Sequence, residues 1–478
     1  MKTIKYFLLL LLIAISFNCS DDLDDVIENP AHDFVWKGLN LYYYWQGNSP
    51  DLADNKFDNQ AILNEFYRGF PAPENLFNHL KVDSNTDRYS VIYNDYNVLE
   101  SVLQGSAKNN GVDYSLFTKN STSNEVFGVV NYILPNSDAS TKNIFRGSIF
   151  YAVNGTPLNT TNFRTLLANN SYTLSLANYD NGNITPNGTS VSLTKQDYQE
   201  NPVYYKNIYT FGSKKIGYLV YNQFLSSFES QLNTAFLEFK NNQVTHLVLD
   251  LRYNPGGSVN TAVRLAGMIT GQFGNAVFSK QKWNQKIMNY YGSNSDTFVN
   301  RFTNVLGNGS GINSLNLTKV YILTTKGSAS ASELLINGLK PYINVVQIGT
   351  TTNGKNVGSI TLYDSPTFGK ENLNPSHKYA MQPITFKIEN AQNFSDYANG
   401  LQPQFTFAED KGNMGIIGDI SEPLLAEALN IVNNNLGRHH QNNVIDHELI
   451  DNRFNINEAA GKMYLNEVPF VTTNYSVK

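Results

Sequence analysis

Residues 246–257 read HLVLDLRYNPGG, in which a buried strand leads directly into a turn with two adjacent glycines. The apolar residues of 259–266 then recur with the spacing of a helix. The same order returns where the apolar run 320–323 is followed by GSASASE at 327–333 and a second helical pattern. Alternating strands and helices need crossover connections, so we predict a largely parallel sheet covered by helices. Ligands of such sheets bind at the carboxyl ends of the strands, where both turns lie.

The composition narrows the class of protein. The chain has 478 residues, enough for several domains of about 100–200 residues each. A hydrophobic fraction of 41% and an aromatic fraction of 13% exclude a disordered chain. A net charge of -5 without a basic block argues against a nucleic-acid partner. One cysteine, and seven histidines without metal-ligand spacing, argue against a disulfide scaffold, a thiol enzyme and a metalloenzyme.

The first residues have the pattern of an export signal. Two lysines precede an apolar run at 7–17, which is shorter than the about 20 apolar residues that span a bilayer. Cys19 stands where cleavage would occur, and the segment resembles a bacterial lipoprotein signal whose cysteine is lipidated. We therefore predict a signal peptide at 1–18, lipidation at Cys19 and an acidic tether at 19–28. The alternative is an ordinary secretory signal with an incidental cysteine.

The rest of the chain divides by pattern into four segments. They are an N-terminal helical domain, a β-rich domain, an α/β core and an Asn-rich C-terminal extension, at residues 29–90, 91–203, 204–435 and 436–478. Within the β-rich domain, Asn154 and Gly155 predict a hairpin turn. The polar stretch 180–190 predicts a loop between two strands.

The serine turn at 327–333 can be interpreted in two ways. Ser330 would lie at the entry of a helix, beside backbone N–H groups without helical partners and the positive end of the helix dipole. That place suits a nucleophile whose tetrahedral intermediate needs oxyanion donors. Ser330 and Glu333 also fit a capping box, which needs no catalysis. From this segment alone the capping box is the favoured interpretation.

A nucleophilic serine needs a base, and the one histidine near these turns, His246, lies within an apolar strand run. Lysine can serve when burial lowers its pKa from about 10.4 towards about 7–8. Lys355 follows a strand that ends at Gly349, at the same sheet edge as the serine turn. A loop lysine is normally a solvated charge, and from the residues alone that is the favoured interpretation of Lys355.

Three motifs, in this order, resemble those of the carboxyl-terminal processing peptidases, a family of serine proteases with a Ser–Lys dyad. Residues 250–257 (DLRYNPGG) resemble the family's DLRxNxGG turn, 328–333 (SASASE) its nucleophile segment, and Gly354 with Lys355 the GK that carries its base. The interval between serine and lysine is also that of the family. A literal TFGK at 367–370 lies past a further strand, and we rank its lysine below Lys355.

The resemblance implies roles for individual residues. Ser330 would be the nucleophile and Lys355 the general base, while Glu333 would help to hold the lysine. The oxyanion hole would consist of backbone N–H groups from Ala331 and from either Gly256 or Gly257. Arg252 would be a structural member of its turn.

The resemblance also implies an architecture. It is an α/β multidomain protein with a layered, crotonase/ClpP-like protease core, an inserted β-rich PDZ-like domain and an N-terminal helical segment. The carboxylate-binding loop of the PDZ-like domain would be formed by Gly111, Val112, Asp113 and Tyr114. The C-terminus of a peptide would add there as a strand.

The predicted function is that of a serine endopeptidase of the bacterial cell envelope, with PDZ-assisted recognition of substrate C-termini. Its partners would be peptide or protein substrates and, through lipid at Cys19, a membrane on the periplasmic or cell-surface side. No metal and no cofactor are implied. Departures from the family near the peptide-binding loop, such as Gly147-Ser148, motivate an alternative: a catalytically silent, peptide-binding lipoprotein of the same fold. A crotonase-like acyl-CoA enzyme is the third interpretation, because a related core with paired amide donors serves that chemistry.

Overall fold

The computed structural model describes residues 26–120, 122–434, 445, 447–450, 463–469 and 471. The predicted signal peptide and Cys19 lie outside the described residues. The α-helices of the described part are α1 (Pro30–Tyr42), α2 (Gln60–Tyr67), α3 (Pro73–Leu80), α4 (Tyr96–Leu103), α5 (Phe163–Ala168), α6 (Glu229–Asn241), α7 (Val259–Thr270), α8 (Gln285–Tyr291), α9 (Ala331–Leu339) and α10 (Pro423–Val432). Within these ranges, none of the helices combines the length and the apolar character that crossing a membrane requires.

The strands of the first half are β1 (Val91–Tyr93), β2 (Ser106–Asn109), β3 (Val112–Thr118), β4 (Val126–Ile133), β5 (Ile149–Val153), β6 (Thr156–Pro157), β7 (Ser171–Asp180), β8 (Asn183–Thr194), β9 (Gln196–Gln199), β10 (Val203–Phe211) and β11 (Lys214–Tyr221). Those of the second half are β12 (His246–Asp250), β13 (Val277–Trp283), β14 (Val299–Arg301), β15 (Lys319–Thr324), β16 (Asn344–Gly349), β17 (Val357–Ile360), β18 (Leu362–Tyr363), β19 (Ala380–Gln382), β20 (Ile384–Asn390), β21 (Phe405–Thr406), β22 (Leu449–Ile450) and β23 (Tyr464–Leu465).

The glycine turn and the serine turn follow strands of a six-stranded sheet with the order β10-β11-β12-β15-β16-β21. All its neighbours are parallel except the antiparallel pair β10 and β11, which confirms the predicted, largely parallel sheet. Successive residues of β12 enter different apolar clusters: Leu247 and Leu249 pack with α6, α7 and α9, and Val248 packs with α10. Both faces are therefore buried, as expected for a continuous apolar strand.

A second sheet, with the order β14-β13-β20-β17-β23, completes the layers of the core. Helix α9 packs against β13 and β20, so it lies between the two sheets. The N-terminal helices α1 to α3 join the same apolar cluster. The fold is therefore an α/β multidomain fold. Helix α9, which the serine turn precedes, contacts a sheet on each side.

The β-rich domain has its own sheet, ordered β22-β3-β4-β5-β7-β8, and its own apolar core. The hairpin predicted at Asn154 and Gly155 is confirmed, with β5 and β6 paired across it. The prediction of a loop across 180–190 is wrong, because β7 and β8 pair up to Asp180 and Asn183. Only Asn181 and Gly182, both with positive φ, form the turn. Most residues of β8 from 183 to 190 are exposed, so this part of the strand shows no alternation of apolar and polar residues.

Candidate active site

Ser330 begins α9 in a strained conformation and points a hydroxyl into the interior. Its φ is +64°, which is uncommon for a residue other than glycine and persists only when surrounding contacts impose it. The side chain is fully buried, and its hydroxyl has no hydrogen-bond partner among the described residues. Burying a hydroxyl without a hydrogen-bond partner costs free energy of folding, so the rest of the fold must offset that cost to keep the Ser330 hydroxyl unbonded.

The other two serines of the SASASE segment do structural work. Ser328 Oγ donates to the Leu251 carbonyl at 2.7 Å, and Ser332 Oγ donates to the Asn254 carbonyl at 3.0 Å. Both bonds tie the serine turn to the turn that follows β12. The three serines alternate in sequence, but only Ser330 keeps its hydroxyl unbonded within the described structure.

Glu333 fastens the serine turn to the lysine loop through one carboxylate. The Ser330 N–H donates to Glu333 Oε2 at 2.8 Å, which is one of the two hydrogen bonds of a capping box. The N–H of Lys355 donates to the same oxygen, also at 2.8 Å. The backbone nitrogens of Ser330 and Lys355 are therefore no further apart than twice that distance. Glu333 therefore caps the start of α9 and at the same time holds the lysine loop beside the serine turn.

The other oxygen of this carboxylate is also satisfied. The Thr352 hydroxyl and the Gly354 N–H each donate to Glu333 Oε1 at 2.6 Å. Burial raises the pKa of Glu333, and the hydrogen bonds from Thr352, Gly354, Ser330 and Lys355 oppose that rise. Glu333 was expected to help hold the lysine, and its contact is with the lysine's backbone.

Lys355 lies in the interior beside the serine turn. Its side chain is 2% exposed, and its Nζ lies 4.5 Å from the centre of the Tyr89 ring. Burial disfavours the charged form of an amine. The competing lysine of the TFGK sequence, Lys370, has a side chain that is 62% exposed and pairs with Glu100 at 2.7 Å. Of the two candidates, Lys355 is buried and Lys370 is exposed.

The turn after β12 brings a glycine against the serine. Gly256 and Gly257 have φ values of +114° and +137°. A Cβ on Gly256 would lie 2.5 Å from Ser330 Cβ and 2.9 Å from the Ala331 nitrogen, so only glycine fits. The Gly256 N–H already donates to Asn254 Oδ1 at 2.9 Å.

The remaining amides define the possible oxyanion donors. No described residue accepts a hydrogen bond from the Gly257 N–H. Ala331 is the first residue of α9, so its N–H has no partner inside the helix. Of the two glycines considered, Gly257 is the one whose amide is not engaged in the described structure.

Arg252 is buried in a network of charges behind this turn. It pairs with Asp250 at 2.8 Å and with Glu422 at 2.7 Å. Arg252 also contacts Glu409, which Arg146 of the β-rich domain reaches at 2.6 Å. Burial would raise the pKa of Glu409, but the Arg252 and Arg146 guanidiniums lower it to about 2. The network anchors the turn and links it to the β-rich domain.

A cavity of about 1260 Å³ connects the β-rich domain with the two turns. Residues 112–115 and Phe117 of β3 line it, and so do Pro255 and Gly327 of the two turns.

In the predicted carboxylate-binding loop, the first two backbone N–H groups already donate hydrogen bonds to asparagine side chains. The Gly111 N–H donates to Asn109 Oδ1 at 2.8 Å, and the Val112 N–H donates to Asn110 Oδ1 at 3.1 Å. A peptide carboxylate would have to displace these side chains to use those two donors. Asp113 and Tyr114 continue into β3 and line the cavity.

Asp113 shares the cavity with a second carboxyl group, Glu200. Burial raises the pKa of Asp113 to about 6, and hydrogen bonds from Asn131 and Tyr132 oppose the rise. Burial and then the nearby Asp113 raise the pKa of Glu200 to about 7, while a hydrogen bond from Asn222 lowers it. The charge beside the predicted peptide loop therefore changes near neutral pH.

Comparisons with known proteins assign a family to two segments of the chain. The family description "Peptidase family S41" matches residues 215–364, and "Peptidase S41 N-terminal domain" matches residues 31–91. The chain carries peptidase family S41 domains. The S41 match contains the glycine turn, Ser330 and Lys355, and the N-terminal match contains Tyr89.

The alignments with related sequences cover only part of each protein. A probable CtpA-like serine protease of Staphylococcus epidermidis is 28% identical over 182 residues, which are 36% of this chain and 34% of that protein. The chain thus spans about a third of the length of the curated relatives it matches.

Solved structures share the S41 fold over most of the chain. A Bacteroides fragilis protein described as an S41 protease has a TM-score of 0.63 at 26% identity, over 84% of this chain and 97% of that one. The photosystem II D1 C-terminal processing protease has a TM-score of 0.51 at 16% identity, over 84% and 98% of the two chains, and shows the fold alone.

Sequence reasoning assigned no part in the site to Tyr89, Thr352 or Asn254. Nothing in the sequence around Tyr89 predicts that its ring lies against a distant lysine. Thr352 and Asn254 act through hydrogen bonds to Glu333 and to the Gly256 amide, which appear only in the folded chain.

Proposed function

We propose that the chain is a serine endopeptidase in which Ser330 is the nucleophile and Lys355 the general base. The observation that carries this proposal is the shared oxygen of Glu333, which accepts hydrogen bonds from the backbone of both residues. Through this carboxylate the backbones of Ser330 and of the buried Lys355 lie close together, and the Ser330 hydroxyl has no hydrogen bond within the described residues, which supports the proposal. Precise placement of this kind is what nucleophilic catalysis needs.

The reaction follows from these positions. Lys355 Nζ, in its neutral form, takes the proton of Ser330 Oγ while that oxygen attacks the carbonyl carbon of a peptide bond. The oxygen of the tetrahedral intermediate accepts hydrogen bonds from the Ala331 and Gly257 N–H groups. The lysine then returns the proton to the leaving amine, and a water molecule, deprotonated by the same lysine, hydrolyses the acyl-enzyme. No metal or cofactor takes part.

A fluorophosphonate serine probe and a casein cleavage assay test this proposal. The unmodified protein should be labelled and should cleave casein. Ser330→Ala should lose both, and Lys355→Ala should lose cleavage while remaining folded. Lys370→Ala, which changes the exposed competitor, should keep both. An unlabelled, inactive but folded protein would instead support the silent peptide-binding alternative.

The β-rich domain, in this proposal, guides substrates as an extended strand along β3 and selects peptide C-termini. The cavity that joins β3 to the serine turn supports the first part. The second part is tested by comparing matched peptides with a free and an amidated C-terminus. Selection of C-termini requires clearly faster cleavage of the free acid, whereas equal rates would leave a general extended-peptide site.

The bacterial envelope is the proposed location, with lipid attached at Cys19. The apolar run at 7–17 and the cysteine after it support this assignment. Cys19→Ser should move the protein from the membrane fraction to the soluble fraction of an expressing cell. Retention of the variant in the membrane fraction would contradict lipid anchoring.

A further inference from the structure

The C-terminal extension returns to the β-rich domain and pairs with the edge of β3. Leu449 and Ile450 of β22 lie opposite Phe117 and Leu116 in an antiparallel ladder. The Thr118 N–H donates to the Glu448 carbonyl at 3.0 Å, which extends the ladder by one bond. This is strand addition, the main-chain mode by which peptides bind to exposed sheet edges.

The same extension has a second, deeper strand beside the catalytic turns. Tyr464 of β23 donates its N–H to the Gly257 carbonyl at 3.2 Å. The Ser359 N–H donates to the Met463 carbonyl at 2.9 Å, and β23 runs parallel to β17, which follows Lys355 closely. Met463 and Tyr464 are buried, so this strand is an integral part of the core.

The two strands differ in how strongly they are held. The β22 residues Leu449 and Ile450 are only partly buried, whereas Met463 and Tyr464 at β23 are buried. The β23 strand keeps the extension attached, so β22 stays at high effective concentration near β3 even when its few hydrogen bonds open. A weak, tethered strand can be displaced by a ligand that pairs with the same edge.

The occupied edge borders the route to the serine. Glu448 and Leu449 line the same cavity as Val112, Phe117 and Gly327. A peptide that extends along the full length of β3 would meet β22 at Leu116 and Phe117.

We infer that residues 447–450 are an internal, displaceable ligand of the β3 edge, and that extended peptide substrates bind there by replacing them. The inference rests on the proposed function in naming the ligand as a substrate. The site takes an unbranched extended peptide with apolar side chains like those of Leu449 and Ile450. The resting chain therefore limits its own access to peptides.

The test uses the full chain with Ser330→Ala, so that binding is measured without cleavage. Leu449→Asp with Ile450→Asp weakens β22, and Ile416→Asp, at an exposed isoleucine in another loop, is the matched control. The probe is a fluorescent peptide with the sequence of residues 445–452, IDHELIDN. We expect at least tenfold tighter binding to the double variant than to the control, and a scrambled peptide should not bind. Equal affinities in the two proteins would overturn the inference.

Hydrogen exchange at the Thr118 amide gives a second measurement on the same proteins. The amide should be protected in the control, exchange faster in the double variant and regain protection when the peptide is added. Unchanged protection in a folded double variant would overturn the inference. Fluorophosphonate labelling of the chain with Ser330 intact reports separately on the proposed function, because it does not depend on β3.

Discussion

The serine turn at 327–333 and the predicted carboxylate-binding loop at 111–114 both resemble family segments, but they differ in which backbone and side-chain groups they leave without a hydrogen bond. In the serine turn, hydrogen bonds engage Ser328, Ser332 and the carboxylate of Glu333, and the Ser330 hydroxyl remains unbonded within the described residues. In the loop, Asn109 engages the Gly111 amide, and its neighbour Asn110 engages that of Val112. A motif therefore marks a possible site, and its neighbours decide which atoms can react or bind.

The three serines provide the sharpest test of this comparison, with the largest expected effect. Ser330→Ala should lower kcat/KM at least about 1000-fold with little change in stability, because its hydroxyl makes no hydrogen bond to lose. Ser328→Ala and Ser332→Ala should each lower the free energy of unfolding by about 1–3 kcal/mol, because a buried carbonyl loses its donor. Peptidase assays and chemical denaturation measure both. A stability loss at Ser330 as large as at Ser328 would contradict the distinction.

The next prediction compares two glycine variants to separate the effect of a steric clash with Ser330 from that of an unfavourable φ. Gly256→Ala should lower kcat/KM by about 100-fold or more, because the new Cβ meets Ser330 and displaces an oxyanion donor. Gly155→Ala is the matched control: its φ is +76°, and a Cβ there meets nothing within 4 Å. Both variants should lose about 1 kcal/mol of stability from the unfavourable φ. Equal activities in the two variants would remove Gly256 from the site.

A smaller effect is the pH dependence of stability that comes from Glu200, a carboxyl group that lines the cavity beside the loop. The pKa of Glu200 is raised to about 7, above its usual 4.5, so the folded state binds a proton that the unfolded state has released. The free energy of unfolding should therefore fall as pH rises from about 4.5 to 7, since stability falls with pH wherever the folded state binds more protons. Glu200→Gln should reduce this slope and raise the melting temperature at pH 8 but not at pH 4. Identical pH profiles for both proteins would contradict the raised pKa.

The smallest expected effect tests whether hydrogen bonds to Asn109 and Asn110 keep the loop's N–H groups from binding a peptide carboxylate. Asn109→Ala releases the Gly111 N–H, so a peptide with a free C-terminus should bind a few-fold more tightly to a Ser330→Ala background. The amidated form of the same peptide should bind as before. If the free acid gains nothing, the Gly111 amide is not a carboxylate donor.

Local sequence patterns predicted many helices and strands of the core correctly, whereas they failed for part of the β-rich domain. The apolar run of β12 and the helical spacing after it predicted their elements, because both faces of that strand are buried. The 180–190 stretch was assigned to a loop, because its strands lie in solvent and carry no apolar alternation. The Asn181-Gly182 turn was the available signal for the hairpin.

The site shows the same division between what the sequence determined and what the fold decided. The order of the motifs, the serine at a helix start and the glycines after a strand can be read from neighbouring residues, since caps and turns depend on local geometry. Which serine stays unbonded, which lysine is buried, and where β22 lies depend on contacts between distant residues: Leu251 with Ser328, Glu333 with Lys355, and Phe117 with Leu449. Only tertiary packing brings those atoms within hydrogen-bonding distance, so only the tertiary structure could decide them.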